Sequence, residues 1–430
     1  MPAPYVAFSH CWGTTETIKL TTDRLDEFKA EIRVADLPES YREAVSICLR
    51  INVDFIWIDS LCIIQDDEQD WHHEAVMMKS VYENSYLNLC AASAAQSTET
   101  CFQDRKTEII RPIQVDAEWD GIEKRRYCLI DPDIVESELA NSSLRSRAWV
   151  FQEWFLSPRS LILGRSQLWW HCRQELACES LPNDGYENMS WKWHVAWMKA
   201  SNGDGSLVQD TFDLWNTLVW RYKKTKLTKQ SDRLIAFSGI AQSFAVAHNL
   251  QISDYYAGLW KQHLPAALCW NNIGSNTKRS LEYVAPSWSW ASLEGPAGSC
   301  DYLDSPLKPW ACVKDCQLVF SDKAQVTGVV KGGVMTLVGR LSGPEKLSRE
   351  TVGYTVEGGL WDGVFVQFDE GKSSSYPLIS YLDGISLDNY NEGVSRRYLE
   401  PKDDVDGLFF LLPIYSFVIL DVTIIHGLVL

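Results

Sequence analysis

The sequence of 430 residues predicts an α/β fold, with a parallel sheet domain followed by a helical region and a C-terminal all-β region. Short apolar strand-like runs alternate with helix-like segments up to about residue 165, and this alternation gives a parallel sheet with helices on both faces. Helical spacing of apolar residues dominates from about residue 212 to 270. Beyond about residue 283, Gly and Pro separate short apolar runs, which is typical of a sandwich or partial barrel.

A chain of this length exceeds one ordinary core, so we expect several domains. The patterns predict a first domain at 1–175, with a polar insertion at about 95–143. A Trp-rich linker and helical region follows at 176–282. A β-rich region takes up 283–430.

The first domain begins and ends with recognisable strands. Its predicted strands are Tyr5–Ser9, Phe55–Ile58, Tyr86–Ala91, Ser160–Leu163 and Gln167–Cys172, the last two joined by a hairpin turn at Gly164-Arg165-Ser166. The spacing Ser40-x-x-Glu43 predicts a capping box at the start of one helix. Asp70 is the expected cap of the next helix, and Arg147–Leu156 is a third helix, ended by Pro158.

The later elements are less regular. Leu181–Gly205 is expected to be a linker, and Ser231-Asp232-Arg233 is expected to start a helix. The predicted strands of the tail are Cys316–Phe320, Val334–Val338, Val364–Phe368 and Leu408–Leu412, with one or two more in Phe417–Leu430.

Charge and composition exclude several classes of partner. The net charge of −17 argues against nucleic acid, because binding its backbone requires clustered Lys and Arg. No apolar run reaches the roughly 20 residues of a membrane span. No signal peptide follows Met1, and the twelve Cys are scattered, so we expect a cytoplasmic location with reduced thiols. Cys312 with Cys316, and Cys172 with Cys178, lack a second pair at zinc spacing, and we expect no metal.

Four ordered blocks of the chain carry a family signature. They are Tyr5–Gly13 (YVAFSHCWG), Leu37-Pro38 with Ala44, Phe55–Asp66 (FIWIDSLCIIQD) with its continuation to Asn84, and Arg147–Arg159 (RAWVFQEWFLSPR). Together they resemble the fungal heterokaryon-incompatibility (HET) domain over about residues 5–172. Ser231–Gly239, Tyr256–Trp260 and Ala285–Ser292 look like the region that commonly follows this domain. Relatives usually have residues before the first block and a further strand or two after the position of Leu430, so an uncovered sheet edge is expected.

The resemblance implies a role in fungal non-self recognition that ends in programmed cell death. It also implies a fold similar to TIR domains, which have a flavodoxin-like sheet, and some TIR domains cleave NAD. On that basis a nucleotide, NAD, is a candidate substrate, cleaved at the nicotinamide–ribose bond, and no other cofactor is expected. The alternative is a non-enzymatic signalling module that forms a homo-oligomer or docks an incompatibility partner protein, with some of the 19 Trp as interface anchors.

Two carboxylates are the candidate catalytic residues. The resemblance to TIR-type enzymes points to Glu153, since they use a glutamate in a Trp/Cys-x-x-Glu helix and this chain has Trp149-x-x-x-Glu153. A fixed carboxylate would stabilise the positive charge that develops on the ribose. The alternative is that Glu153 anchors its helix through an arginine. Asp59, at a strand's carboxyl end, would orient a ribose or a water, or else cap a turn.

The remaining candidates are binding residues. They are Ser9, Trp12, Gly13, Asp66, Arg147, Trp149 and Arg159. Trp12-Gly13 is interpreted as an aromatic platform beside a permissive turn. Arg147 and Arg159 can each hold a phosphate by two hydrogen bonds, or form a salt bridge to nearby acids. Nucleophilic catalysis by Ser9 or Cys11 is disfavoured, because neighbouring residues of a strand point to opposite sides.

Overall fold

The computed structural model divides into two compact units. The first is Met1–Gly205 with Thr225–Thr228 and Ile235–His248, and the second is Ser206–Lys224, Lys229–Leu234 and Asn249–Leu430. The structure describes residues 3–15, 17–105, 111, 113–119, 122–129, 136–173, 175–182, 208–272, 280, 282–299, 308–309, 311–322, 325–345, 347–350, 353–356, 360–368, 409–419 and 422–429. The three-region division expected from the sequence stays a prediction.

The first unit is built on a six-stranded sheet. The strands of this unit are β1 (Tyr5–Ser9), β2 (Phe55–Trp57), β3 (Leu87–Cys90), β4 (Ile113–Trp119), β5 (Ile122–Leu129), β6 (Arg159–Leu163), β7 (Leu168–Cys172) and β8 (Leu176–Cys178). The sheet order is β2-β1-β3-β6-β7-β8. The first four strands are parallel and β7 and β8 are antiparallel. The α/β prediction is confirmed, and the order of the parallel strands is that of a flavodoxin-like sheet.

Seven α-helices are described. They are α1 (Leu25–Ala30), α2 (Glu39–Arg50), α3 (Asp59–Cys62), α4 (Glu68–Glu83), α5 (Ala148–Leu156), α6 (Val208–Lys223) and α7 (Ser238–Ala247). Single turns of 3₁₀ helix occur at Thr22–Arg24, Val34–Asp36, Gln230–Asp232, Ile235–Phe237, Ile252–Asp254, Lys261–His263, Ala266–Leu268 and Trp290–Ser292, and a π turn at Glu136–Ala140. None of the described helices has the length and apolar character that a membrane crossing requires.

The core of the first unit lies where α2 covers the centre of the sheet. Tyr41 and Ala44 of α2 pack with Phe8 of β1 and Leu89 of β3, and all four are buried. Helix α5 packs against α4 and α7 and also contacts β1. A hydrogen bond from the side chain of Arg147, directly before α5, to the carbonyl of His10 places the start of α5 near the end of β1.

The predicted capping box of α2 is wrong. The helix begins at Glu39 after Pro38, and no side chain caps it. Ser40 instead donates from Oγ to the carbonyl of Ser97 (2.8 Å), and Glu43 accepts from the amide of Cys101 (2.6 Å). Both side chains are occupied by a loop far along the chain, so they are not available to the helix terminus.

The cap of α4 also differs from the prediction. Asp67, not Asp70, precedes the helix, and its carboxylate accepts from the amides of Gln69 and Asp70. The side chain of Asp70 reaches back and accepts from the amide of Ile64 (2.8 Å). The carboxylates of Asp67 and Asp70 therefore both stabilise the loop between α3 and α4.

The helix expected from Ser231 begins later. Two 3₁₀ turns precede α7, which starts at Ser238. The carbonyl of Arg233 accepts the hydroxyl of Tyr222 (2.7 Å), so it is engaged outside a regular helix. The predicted linker Leu181–Gly205 lies outside the described residues, apart from its first two positions.

The C-terminal region is antiparallel, and the prediction of an all-β region is confirmed. Its described strands, with the short hairpins before it, are β9 (Tyr255–Tyr256), β10 (Leu259–Trp260), β11 (Trp270–Asn272), β12 (Ala297–Ser299), β13 (Lys308–Pro309), β14 (Ala311–Phe320), β15 (Val330–Glu345), β16 (Leu347–Glu350), β17 (Gly353–Val356), β18 (Leu360–Phe368), β19 (Phe409–Ile419) and β20 (Val422–Val429). The main sheet has the order β13-β19-β15-β14, with β18 on β15 and β20 on β19.

Candidate functional site

A polar cluster lies at the carboxyl ends of the parallel strands, where open α/β sheets bind ligands. Ser9 is the last residue of β1, and Asp59 begins α3, separated from the end of β2 by one residue. Arg147 and Glu153 come from the start and middle of α5. Charges on Asp59 and Arg147 both act on the pKa of Glu153, so residues distant in sequence meet here.

Glu153 is the most perturbed carboxyl group of this cluster. It is only 4% exposed, and burial raises its pKa to about 7. Arg147 and the hydroxyl groups of Ser9 and Tyr82 oppose this rise, while the charge of Asp59 adds to it. A carboxyl group balanced between its two forms near neutral pH can serve as base, acid or charge stabiliser.

Asp59 is held by two donors. Its Oδ1 accepts from the amide of Ser60 (2.7 Å), and its Oδ2 accepts from the indole N–H of Trp12 (2.9 Å). The side chain retains 20% exposure, so it lies nearer the surface than Glu153. Asp59 therefore caps the turn after β2 and at the same time fixes the orientation of Trp12.

Arg147 joins the end of β1 to the start of α5. Its guanidinium donates from Nη1 to the carbonyl oxygen of His10. The side chain is half-buried. Its positive charge lowers the pKa of Glu153 and of Cys11, whereas burial raises both by a larger amount. The same charge adds to the lowering of the His10 pKa, which is caused mainly by burial. Arg147 is thus the cation of the cluster.

A buried hydrogen-bond chain supports the cluster, and sequence reasoning missed it. The hydroxyl of Tyr41 lies 2.6 Å from His10 Nε2 and 2.9 Å from Ser60 Oγ. His10 Nε2 is also 3.8 Å from Asp59 Oδ1. Burial lowers the pKa of His10 and so favours the neutral form of its imidazole, while the charge of Asp59 acts in the opposite direction. The one signal in the sequence was a tyrosine on the apolar face of α2, since a buried hydroxyl requires a partner.

Gly13 is required by the backbone. Its φ is +78°, and a Cβ here would lie 2.2 Å from Gln96 Cβ. A larger residue would therefore displace the loop that carries Trp12. The platform predicted for Trp12 and Gly13 is a half-buried indole that is hydrogen-bonded to Asp59 and followed by a glycine turn.

Three candidate binding residues lie elsewhere or face other partners. Asp66 is exposed and accepts from the amide of Thr22 (2.8 Å). Arg159 begins β6, at the amino end of the sheet, with its guanidinium 5.0 Å from the ring of Tyr86. Trp149 precedes Glu153 by one turn of α5, and its ring meets that of Trp71 edge to face at 6.0 Å.

The described part of the chain holds no metal centre beside the cluster. Among those residues, no three His, Cys, Asp or Glu side chains are grouped to hold a metal ion. A cavity of about 10 Å³ lies next to Cys90, with Leu144, Arg145 and Trp154 in its lining. Its size admits about one water molecule.

Comparison with known proteins gives a family match to part of the chain. The model of Heterokaryon incompatibility protein (HET) matches residues 5–153, and this confirms the resemblance predicted from the sequence blocks. No curated protein and no solved structure matches the chain. The matched segment contains β1 to β3 and the whole polar cluster, from Ser9 to Glu153.

Proposed function

On the premise that residues 5–153 form a HET domain, we propose that this protein acts in heterokaryon incompatibility, a form of fungal non-self recognition that ends in programmed cell death. We further propose that it acts by hydrolysing NAD at the nicotinamide–ribose bond, in the cytoplasm. The observation that carries the proposal is a buried carboxyl group, Glu153, with a pKa of about 7 beside Asp59 and Arg147. Perturbed carboxyl groups beside other charges are typical of active sites.

The chemistry needs a carboxylate and little else. The electron pair of the C–N bond leaves with nicotinamide, which departs neutral, and the ribose C1′ becomes positively charged. Ionised Glu153 stabilises that charge, water adds to C1′, and one proton is released. The half-buried guanidinium of Arg147 is suited to the pyrophosphate, and Asp59 to a ribose hydroxyl.

A closed resting state suits an enzyme whose activity is toxic to the cell and is normally restrained. Glu153 is 4% exposed, so a substrate has to open the site before it reaches the carboxyl group. The surface-near contact is the 2.9 Å hydrogen bond from Trp12 to Asp59. We propose that breaking this bond is part of opening, and that the indole then stacks on a base or on the nicotinamide ring.

The test is NAD loss catalysed by the purified chain. We expect Glu153→Ala and Glu153→Gln to lower kcat by about 100-fold or more, because the carboxylate acts on the charge of the transition state. Glu27→Gln is the matched control, since the side chain of Glu27 is 63% exposed on α1. An unchanged rate in both Glu153 variants would end the assigned role.

The burial of Glu153 favours a second candidate function. If this carboxyl group, which is 4% exposed, serves to hold α5 in place and has no catalytic role, the HET domain acts by self-association or by docking a partner protein. In that case the wild-type chain consumes no NAD above a buffer blank. Sedimentation of wild type and Glu153→Gln would then show the same assembly, because the residue has no chemical task.

A further inference from the structure

We infer that residues 225–228 and 235–248, which lie beyond the family match, are positioning elements of the site and hold helix α5 where Arg147 and Glu153 meet the strand ends. Both segments belong to the first compact unit although they follow it in sequence. The inference concerns the site to which the proposed function is assigned. Its test uses a property of Glu153 that does not depend on catalysis.

The first segment, residues 225–228, forms backbone hydrogen bonds with the amino end of α5. The amide of Lys226 donates to the carbonyl of Ser146 (2.6 Å), and its carbonyl accepts from the amide of Ala148 (2.9 Å). These two bonds form a parallel bridge between Arg147 and Lys226. The first amides of a helix have no partner within it, and no side chain caps α5. The backbone of residue 226 therefore supplies the cap and fixes the position of Arg147.

The second segment packs along the side of α5. The amide of Gly239 donates to Oε1 of Gln152 (3.3 Å), the residue before Glu153. A Cβ at Gly239 would lie 2.7 Å from Gln152 Oε1 and 2.9 Å from Leu156 Cδ1. The ring of Phe237 lies 6.0 Å from that of Phe151. An alanine at position 239 would therefore have to displace the ends of the Gln152 and Leu156 side chains, both of which are buried.

The composition of α5 explains why it needs this cover. Eight of its nine residues are buried, all except Trp149. A helix that buries nearly its whole surface depends on the elements that cover it. Strand β1 and helix α4 belong to the matched domain, whereas α7 and the preceding 3₁₀ turn also contact α5 and lie beyond that match. Removing that cover would admit water to the helix that carries Glu153.

Admission of water has a measurable consequence. The pKa of Glu153 is high chiefly because the group is buried, with Asp59, Arg147, Ser9 and Tyr82 as its other influences. If α7 moves away and α5 shifts, the carboxyl group gains hydration and its pKa falls toward that of an ordinary glutamate. A purely structural role for α7 would lower stability without moving this titration.

The experiment is an infrared titration of the full chain, with the band of protonated Glu153 identified by its loss in Glu153→Gln. We expect Gly239→Ala to move the midpoint down from about 7 by at least about one pH unit. Gln152→Met, which removes the acceptor but keeps the bulk, is expected to move it less, in the same direction. Val246→Ala is the control, since Val246 is 79% exposed on α7 and should leave the midpoint unchanged.

The outcomes separate this inference from the proposed function. If Gly239→Ala does not fold, the milder Gln152→Met variant decides the question. A midpoint that stays at about 7 in a folded variant, shown by an unaltered circular dichroism spectrum, would overturn the inference. A lowered midpoint in a chain that never consumes NAD would support the positioning role and refute only the enzymatic proposal.

Discussion

Glu153 is an acid that destabilises the fold at neutral pH. Its pKa in the folded state is about 7, raised from the ordinary glutamate value of 4.5 by burial. Between those values the folded protein holds a proton that the unfolded chain has released, so stability falls as pH rises from about 4.5 to about 7 and is level above it. A residue with such a cost is more often kept for function than for the fold.

Replacing the acid with its neutral isostere should therefore stabilise the protein in alkaline solution. The pKa difference corresponds to about 3 kcal/mol when Glu153 is fully ionised. We expect Glu153→Gln to raise Tm at about pH 8, and the gain to vanish toward about pH 5, where wild-type Glu153 is itself neutral. Thermal unfolding of both proteins at the two pH values measures it. An equal Tm difference at both pH values would contradict the assignment of this titration to Glu153.

The same titration predicts the pH dependence of the proposed NAD cleavage. The ionised form is the active one, so kcat/KM should rise about tenfold per pH unit on the acidic side and level off above a midpoint near 7. The midpoint of the kcat profile should lie at a lower pH, because the positive nicotinamide ring favours the ionised form of Glu153 in the complex. Initial rates across the range would show both profiles. A profile flat through neutrality would exclude Glu153 as the titrating group.

The grouping of these side chains was partly accessible from the sequence. Ser9 and Asp59 follow strands of one parallel sheet, and such strands end at the same edge, so their proximity follows from the fold class. The bond between Tyr41 and His10 does not follow, because a tyrosine at helical spacing reads as one more core residue. Only packing shows which polar atom a buried hydroxyl meets.

At the scale of elements, apolar patterns located the strands and helices better than capping motifs located the helix ends. Strand Tyr5–Ser9 and the hairpin of β6 and β7 were found where four or five consecutive residues share a pattern. The predicted cap at Ser40 failed because Ser97, more than fifty residues away, takes its hydroxyl. A local motif cannot register such competition from a distant loop.

The end of α2 offers a test of a local rule that does hold. Asn52 has φ of +56°, the amide of Val53 donates to the carbonyl of Cys48 (3.0 Å), and that of Asn52 donates to Leu49 (3.3 Å). This is the Schellman arrangement, which tolerates Gly and Asn at the left-handed position. We expect Asn52→Val to lower the free energy of unfolding by about 1 kcal/mol or more, and Asn52→Gly to change it little. Urea denaturation compares the three proteins, and equal losses would refute the explanation.

At the scale of the whole molecule, the sequence could not show that the first unit is discontinuous. Helix α7 carries apolar residues at ordinary spacing, and such spacing says that a helix is covered without saying by what. The contact of Gly239 with Gln152 joins positions 87 residues apart. A contiguous division of the chain places these two positions in different regions, whereas packing places them together.

This discontinuity predicts which parts of the molecule open together. Helices α5 and α7 are in contact within one unit. Their backbone amides should therefore lose protection from hydrogen exchange in one cooperative step as denaturant is added. The hairpin Tyr255–Trp260 belongs to the second unit and should respond at its own denaturant concentration. Gly239→Ala should speed exchange in both helices by about tenfold and leave that hairpin unaffected. Mass spectrometry of peptides from the three segments measures these exchange rates. If α7 loses protection while α5 stays protected, the two helices are not one cooperative unit.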